Sequence, residues 1–136
     1  MIESLWFGSA LFVIVAALAA FRVLNTATDA ANVVGAILTR WHYIALLAPL
    51  ALLALEWRRS RAFILALLFG AILLASAQAL VDTRVRTMRM ESAVPISALP
   101  RESALRRHFG MLHGLSTLLL VAQVIVAGAT IVGDEK

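Results

Sequence analysis

The sequence predicts an all-α integral membrane protein: an antiparallel four-helix bundle with short interfacial amphipathic helices. Three observations predict it. Four apolar runs, residues 4–21, 42–55, 62–81 and 109–133, contain no Asp, Glu, Lys or Arg. A helix rises about 1.5 Å per residue, so about 20 residues cross a hydrocarbon core roughly 30 Å thick. The chain is 62% apolar over 136 residues, with a mean hydropathy of +0.91. A water-soluble domain of that size has too much surface to hide so much apolar material. Finally, the charged residues gather between the runs, where a bilayer leaves them wet. The chain reads as a single membrane domain over residues 1–136, with spans at about 4–24, 38–57, 62–81 and 108–132 and a polar connection over 82–107.

Span 1 opens after Glu3 and closes at Arg22. Its length, and the absence of a basic stretch or a small-residue cleavage site, mark it as a retained span rather than a signal peptide. Asn25–Asp29 then offers several helix N-caps. From Asp29 to Arg40, Val33, Val34, Ile37, Leu38 and Trp41 recur at helical spacing, which predicts an interfacial amphipathic helix leading into span 2. Pro49 removes a backbone hydrogen bond in mid-span and predicts a kink. Glu56–Arg61 is a tight basic turn, so spans 2 and 3 form a hairpin.

Span 3 carries Ala71, Ala75 and Ala79 four apart, a face on which backbones can approach closely. Beyond Val81 a helical extension is expected, with Asp82 and Arg86 paired at i,i+4. Residues 94–100, with two prolines, break it. Pro100 suits the first turn of the next helix, in which Glu102 and Arg106 form a second such pair. Span 4 follows, and Gly110 and Gly114 form a G-x-x-x-G pattern that admits another helix.

This threading puts both termini and the 2–3 turn at one face, and the 1–2 and 3–4 connections at the other. Trp6 and Trp57 then fall at the first face, and Trp41 and Tyr43 at the second, as in an aromatic belt. The second face also holds most of the arginines, which by the positive-inside rule places it in the cytoplasm. The compact cluster of Arg58, Arg59 and Arg61 argues the other way.

Composition narrows the chemistry. There is no cysteine, which excludes disulfides, thiolate metal sites and cysteine nucleophiles. The net charge of +4 comes from eleven arginines and one lysine against eight acids. In a chain this apolar, Arg84, Arg86, Arg89, Arg106 and Arg107 are read as contacts to anionic lipid headgroups rather than to nucleic acid. No paired carboxylates, nucleophile elbow or phosphate-binding glycine loop occurs, so no catalytic residue and no enzyme activity are expected.

The polar residues inside the spans are the candidate site. His113 lies about a turn inside span 4, and Ser116 and Gln123 continue a polar stripe from it. Gln78 on span 3 can reach that stripe, and His42 opens span 2 at the same face. Ionisable groups within a span face the bundle interior or a water-filled cavity, so His113, Ser116, Gln123, Gln78 and His42 are ligand-pocket candidates. The plainer alternative is that they are hydrogen-bonding glue between helices. His42 and His113 are weaker candidates for a bis-histidine haem or metal site, with Met88, Met90 and Met111 at the same end. No cofactor is assigned on that basis, because two ligands on separate helices have no diagnostic spacing.

The stretch Leu105–Ser116 resembles a motif of the family of human transmembrane protein 205 and of the bacterial proteins grouped as domain of unknown function 4149. That motif has the form R-x-x-F-x-x-x-H-G-x-S, and Arg106, Phe109, His113, Gly114 and Ser116 match it. Trp6-Phe7-Gly8, the residues Phe21–Leu24, and Gly35 before an aromatic cluster are also similar to the family's opening. The resemblance runs the length of the chain in span order, although the connection between spans 3 and 4 is shorter than in the human protein. It implies a four-helix membrane bundle of unestablished activity, placed in the inner membrane if the chain is bacterial. The expected function is that of an accessory or scaffold subunit packing against other membrane proteins. The alternatives are a homo-oligomeric transport or small-ligand-binding protein and, third, a bis-histidine haem or metal protein.

Overall fold

The computed structural model describes residues 1–59 and 62–134. It contains four long helices: α1 (Ile2–Val23), α2 (Ala27–Glu56), α3 (Ala62–Glu91) and α4 (Ala104–Asp134). One 3₁₀ turn, Trp57–Arg59, follows α2, and another, Ile96–Ala98, lies between α3 and α4. All four helices are long and apolar enough to cross a membrane. Glu3 and Arg22 lie about 28 Å apart along α1, which matches the roughly 30 Å hydrocarbon core. That spacing defines a terminal end of the bundle, with Glu3 and Glu56, and an arginine end, with Arg22, Arg86 and Arg89.

Each helix turns a seven-residue repeat inward. The buried positions are Trp6, Ala10, Val13 and Ala20 on α1, and Ile64, Leu68, Ala71, Ala75, Gln78 and Val85 on α3. On α4 they are Ser116, Leu120, Gln123, Ala127 and Thr130. Steps of three and four keep one seam facing its neighbours, the pattern of a left-handed bundle. The α3–α4 pair is the most extensive contact, and α1 lies between α2 and α4.

Several sequence expectations change here. The stretch expected to be an interfacial helix leading into span 2 is continuous with that span, as the first third of α2. Thr26 caps it, accepting from the Asp29 backbone N–H at 3.0 Å. Nothing up to Trp41 stops the helix, since Gly35 costs only about 1 kcal/mol in a helix interior. Ala30 and Trp41 are buried within the bundle. Pro49 lies inside α2 and is itself buried, which is compatible with the expected mid-span kink.

The aromatic belt is half of what the threading suggested. Trp57 and Tyr43 are exposed, but Trp6 and Trp41 are core residues at 1% and 2% exposure. Both sit on the inward seam of their helices, and that register outweighs their preference for the interface. Ala79, by contrast, is off the inward seam and only half-buried, whereas Ala71 and Ala75 are fully buried.

The helical extension of span 3 reaches Glu91, so the irregular connection shrinks to residues 92–103. Pro100 does not open α4. Its carbonyl accepts the Ser103 N–H at 3.0 Å, and the Ser103 carbonyl accepts from Arg107 at 3.0 Å. Ser103 is therefore the cap, a role serine favours. Glu102 lies before the helix, and Arg106 turns back to donate to the Leu99 carbonyl at 2.5 Å instead of pairing with it. The 56–61 turn lies partly outside the described residues.

Candidate functional site

Toward the arginine end the four helices separate around a half-open cavity of about 320 Å³. Its two sides differ. The α1–α2 side is apolar, with Val13, Ile14, Leu18, Phe21, Val34 and Leu38. The α3–α4 side is polar, with Gln78, Asp82, Arg86, Arg89, His113 and Ser116. His42 from α2 joins the polar side.

Asp82 is the centre of that side. It lies one turn beyond Gln78 on the inward seam of α3, about 6 Å deeper than Arg86. The Ser116 hydroxyl donates to its Oδ1 at 2.5 Å. His42 Nε2 lies 3.1 Å from its Oδ2. That second contact is close in distance but is not aligned as a hydrogen bond. The expected Asp82–Arg86 pair is therefore replaced by an inward one. Helical register decides this: position 82 continues the 71, 75, 78 seam, and Arg86 instead reaches across to the Thr39 hydroxyl.

One turn deeper, the Gln123 amide donates to Gln78 Oε1 at 2.5 Å. Both side chains are fully buried. Gln78 Nε2 has no partner, so a donor remains unspent at the inner end of the cavity. An unmet buried donor costs about 1–3 kcal/mol, which an acceptor arriving in the cavity would recover.

The rim is cationic. Arg89 donates to the Ala31 carbonyl at 3.3 Å and lies 5.8 Å above the Phe109 ring. Phe109 in turn stacks on His113, with centroids 6.2 Å apart and planes 4° from parallel. His113 itself is exposed at the mouth rather than enclosed.

The candidates thus separate into groups. Ser116, His42, Gln78 and Gln123 meet inside the bundle, and His113 stands at its entrance. Arg86 and Arg89 line the cavity, whereas Arg84 and Arg107 are exposed outside it. Gly110 and Gly114 face outward, and a Cβ at either would meet nothing within 4 Å. Met90 and Met111 are exposed, and Met88 is half-buried. Among the described residues no group of three His, Cys, Asp or Glu could hold a metal ion. Asp82 stands between the serine and the histidine, which is not the nucleophile–base–acid order of a hydrolase triad.

Sequence reasoning misses Asp82 as a site residue because its local neighbour Arg86 offers a ready i,i+4 partner. The signal that could find it is the inward seam, which passes through 71, 75, 78, 82, 85 and 89 at steps of four and three.

Fold and cavity together define the class: a small, multi-pass, all-α membrane protein with a mixed apolar and polar cavity at one end of its bundle. Comparison with protein families, with curated proteins and with solved structures finds no match.

Proposed function

We propose that the chain binds a small amphiphilic molecule within the bilayer, for passage or for presentation to a partner. The observation that carries this reading is the cavity itself. All four helices contribute to it, and about 320 Å³ falls within the usual size of small-molecule sites. Its mixture of an apolar side and a few polar groups is also what such sites use for orientation. The test is purification into lipid nanodiscs, extraction, and mass spectrometry of what co-purifies. Gly35→Leu is the matched control, because Gly35 lines the cavity and a Cβ there meets nothing within 4 Å. A small molecule present with the parent chain and absent with Gly35→Leu supports the reading; identical extracts overturn it.

A second reading, that of an accessory subunit, rests on a different surface. The outward Gly110-x-x-x-Gly114 stripe has no helix of this chain against it among the described residues, and such stripes let another backbone approach closely. Gly114→Leu should then release a co-purifying partner, or dissociate a homo-oligomer, while leaving the monomer folded. In both readings the exposed Arg84, Arg101 and Arg107 lie against anionic headgroups. No catalytic step is assigned. Membership of the transmembrane protein 205-like family is proposed on Arg106, Phe109, His113, Gly114 and Ser116. Three of them have defined work here: Ser116 holds Asp82, Phe109 supports Arg89 and His113, and Arg106 braces the turn before α4. In a bacterial cell, helical spans of this kind belong to the inner membrane, since the outer membrane takes barrels.

A further inference from the structure

Resting on the ligand-binding reading, we infer that the cavity selects a single-chain anionic amphiphile: a carboxylate or phosphate head held by Arg86 and Arg89, with its apolar chain along the α1–α2 side.

Charge decides the head. Arg86 and Arg89 lie three residues apart on α3 and both line the mouth. Among the described residues, neither is paired with a carboxylate. Asp82 is the only acid among the described lining residues, and it turns away from them toward His42 and Ser116. The wall therefore keeps a net positive charge whatever the state of the histidines. Arg86 donates to Thr39, and Arg89 to the Ala31 carbonyl. A guanidinium has further N–H donors beyond these, arranged to suit a carboxylate or phosphate. Phe109, beneath Arg89 and stacked on His113, limits how far that guanidinium can swing. An amphiphilic amine meets the same rim as a repulsion.

Size and polarity decide the body. The cavity lies at the lower end of the range for small-molecule sites, which leaves room for one chain rather than two. The apolar side, from Phe21 down to Val13 and across to Leu38, runs along the direction in which such a chain would lie. At the inner end, Gln78 is fully buried and lines the cavity with an unpartnered Nε2. Gln78 and Arg86 are about 12 Å apart along α3. An oxygen at that depth on the chain gains this donor.

The test uses the full chain in delipidated detergent micelles. Native mass spectrometry measures binding of oleate, oleyl phosphate, oleyl alcohol and oleylamine, which share a chain and differ in the head. The expected result is one oleate or oleyl phosphate per chain, bound at least tenfold tighter than the alcohol or the amine. Whichever acid binds tighter assigns the head as carboxylate or phosphate. Arg86→Gln and Arg89→Gln should each bring oleate down toward the alcohol, and Gly35→Leu should abolish binding of every probe. If Arg89→Gln fails to fold, the exposed Arg86 carries the charge test alone. Alcohol or amine binding as tightly as oleate, and lost in Gly35→Leu, overturns the anion selection and leaves the cavity reading standing. Absence of any Gly35-sensitive binding overturns both.

Discussion

The terminal and arginine ends of this bundle use the same four helices in opposite ways. At the terminal end, Trp6, Leu52, Ile64, Leu68, Ala71 and Ala127 form one cluster. The void left beside Glu56 and Thr130 is only about 10 Å³. A Cβ at Gly133 would come within 2.6 Å of Ile64 Cδ1, and one at Gly128 within 3.4 Å of the Phe7 ring. At the arginine end, about 320 Å³ remains open, and Gly35 has free space in front of it. Lipid tails are as apolar as leucine, so close packing rather than burial from water holds such helices together. The difference teaches that close packing at one end, continued by a second apolar cluster of Ala10, Val13, Trp41, Ala45, Ala75 and Leu120, is compatible with an open cavity at the other.

The comparison can be broken from either side. Trp6→Ala removes the largest buried side chain of the tight cluster. Its expected cost lies toward the lower end of about 3–5 kcal/mol, because the cavity term remains while the transfer term shrinks in lipid. Reversible unfolding in mixed micelles measures it. A cost below that of a surface substitution would mean the terminal end is not what holds the helices.

Adding bulk should separate the two ends more sharply. Ala71→Leu forces extra atoms into a site with no exposure and is expected to cost about 1–3 kcal/mol. The same unfolding assay on Gly35→Leu should show no loss, since the new side chain enters existing space. Removing a glycine from a helix interior even favours the folded state by up to about 1 kcal/mol. Equal losses at both positions would collapse the distinction.

The boundary between the ends is the Gln78–Gln123 pair. Gln78→Leu alone leaves the Gln123 amide only its 3.4 Å bond to the Leu119 carbonyl and should cost about 1–3 kcal/mol. The double change Gln78→Leu with Gln123→Leu should recover most of that, because a hydrogen bond between membrane helices is worth only about 0.6 kcal/mol on average. A double-mutant cycle reads the coupling directly. If the double variant is as damaged as the single, the pair does more than join α3 to α4.

The smallest effect expected is on the sharpened ligand. Against the parent chain, 12-hydroxystearate should bind more tightly than stearate by a few-fold, the gain of one modest hydrogen bond of about 1 kcal/mol. That advantage should vanish in the double Gln variant, measured by the same mass spectrometry.

Much of the molecule is legible in the residues alone. The charge-free runs locate all four helices, the Thr26 cap lies within the expected stretch, and the extension past Val81 is readable from its pattern. The stripe of Ser116 and Gln123, with Gln78 reaching toward it, is also visible at helical spacing. Two of the expectations that fail have a common cause. Residue type sends Trp6 and Trp41 to the interface, and proximity along the chain pairs Asp82 with Arg86. Both inferences ignore which side of the helix faces its neighbours.

The sequence by itself determined the solvent, the number of spans and their order. These depend on local quantities: apolar length, caps and prolines act within a few turns and do not need to know what lies alongside. Only the tertiary structure decided that His42 on α2 and Ser116 on α4 converge on one carboxylate of α3. It also decided that the helices close at one end and part at the other. Those outcomes depend on the rotation and height of each helix against the rest, which are set by packing between side chains far apart in sequence.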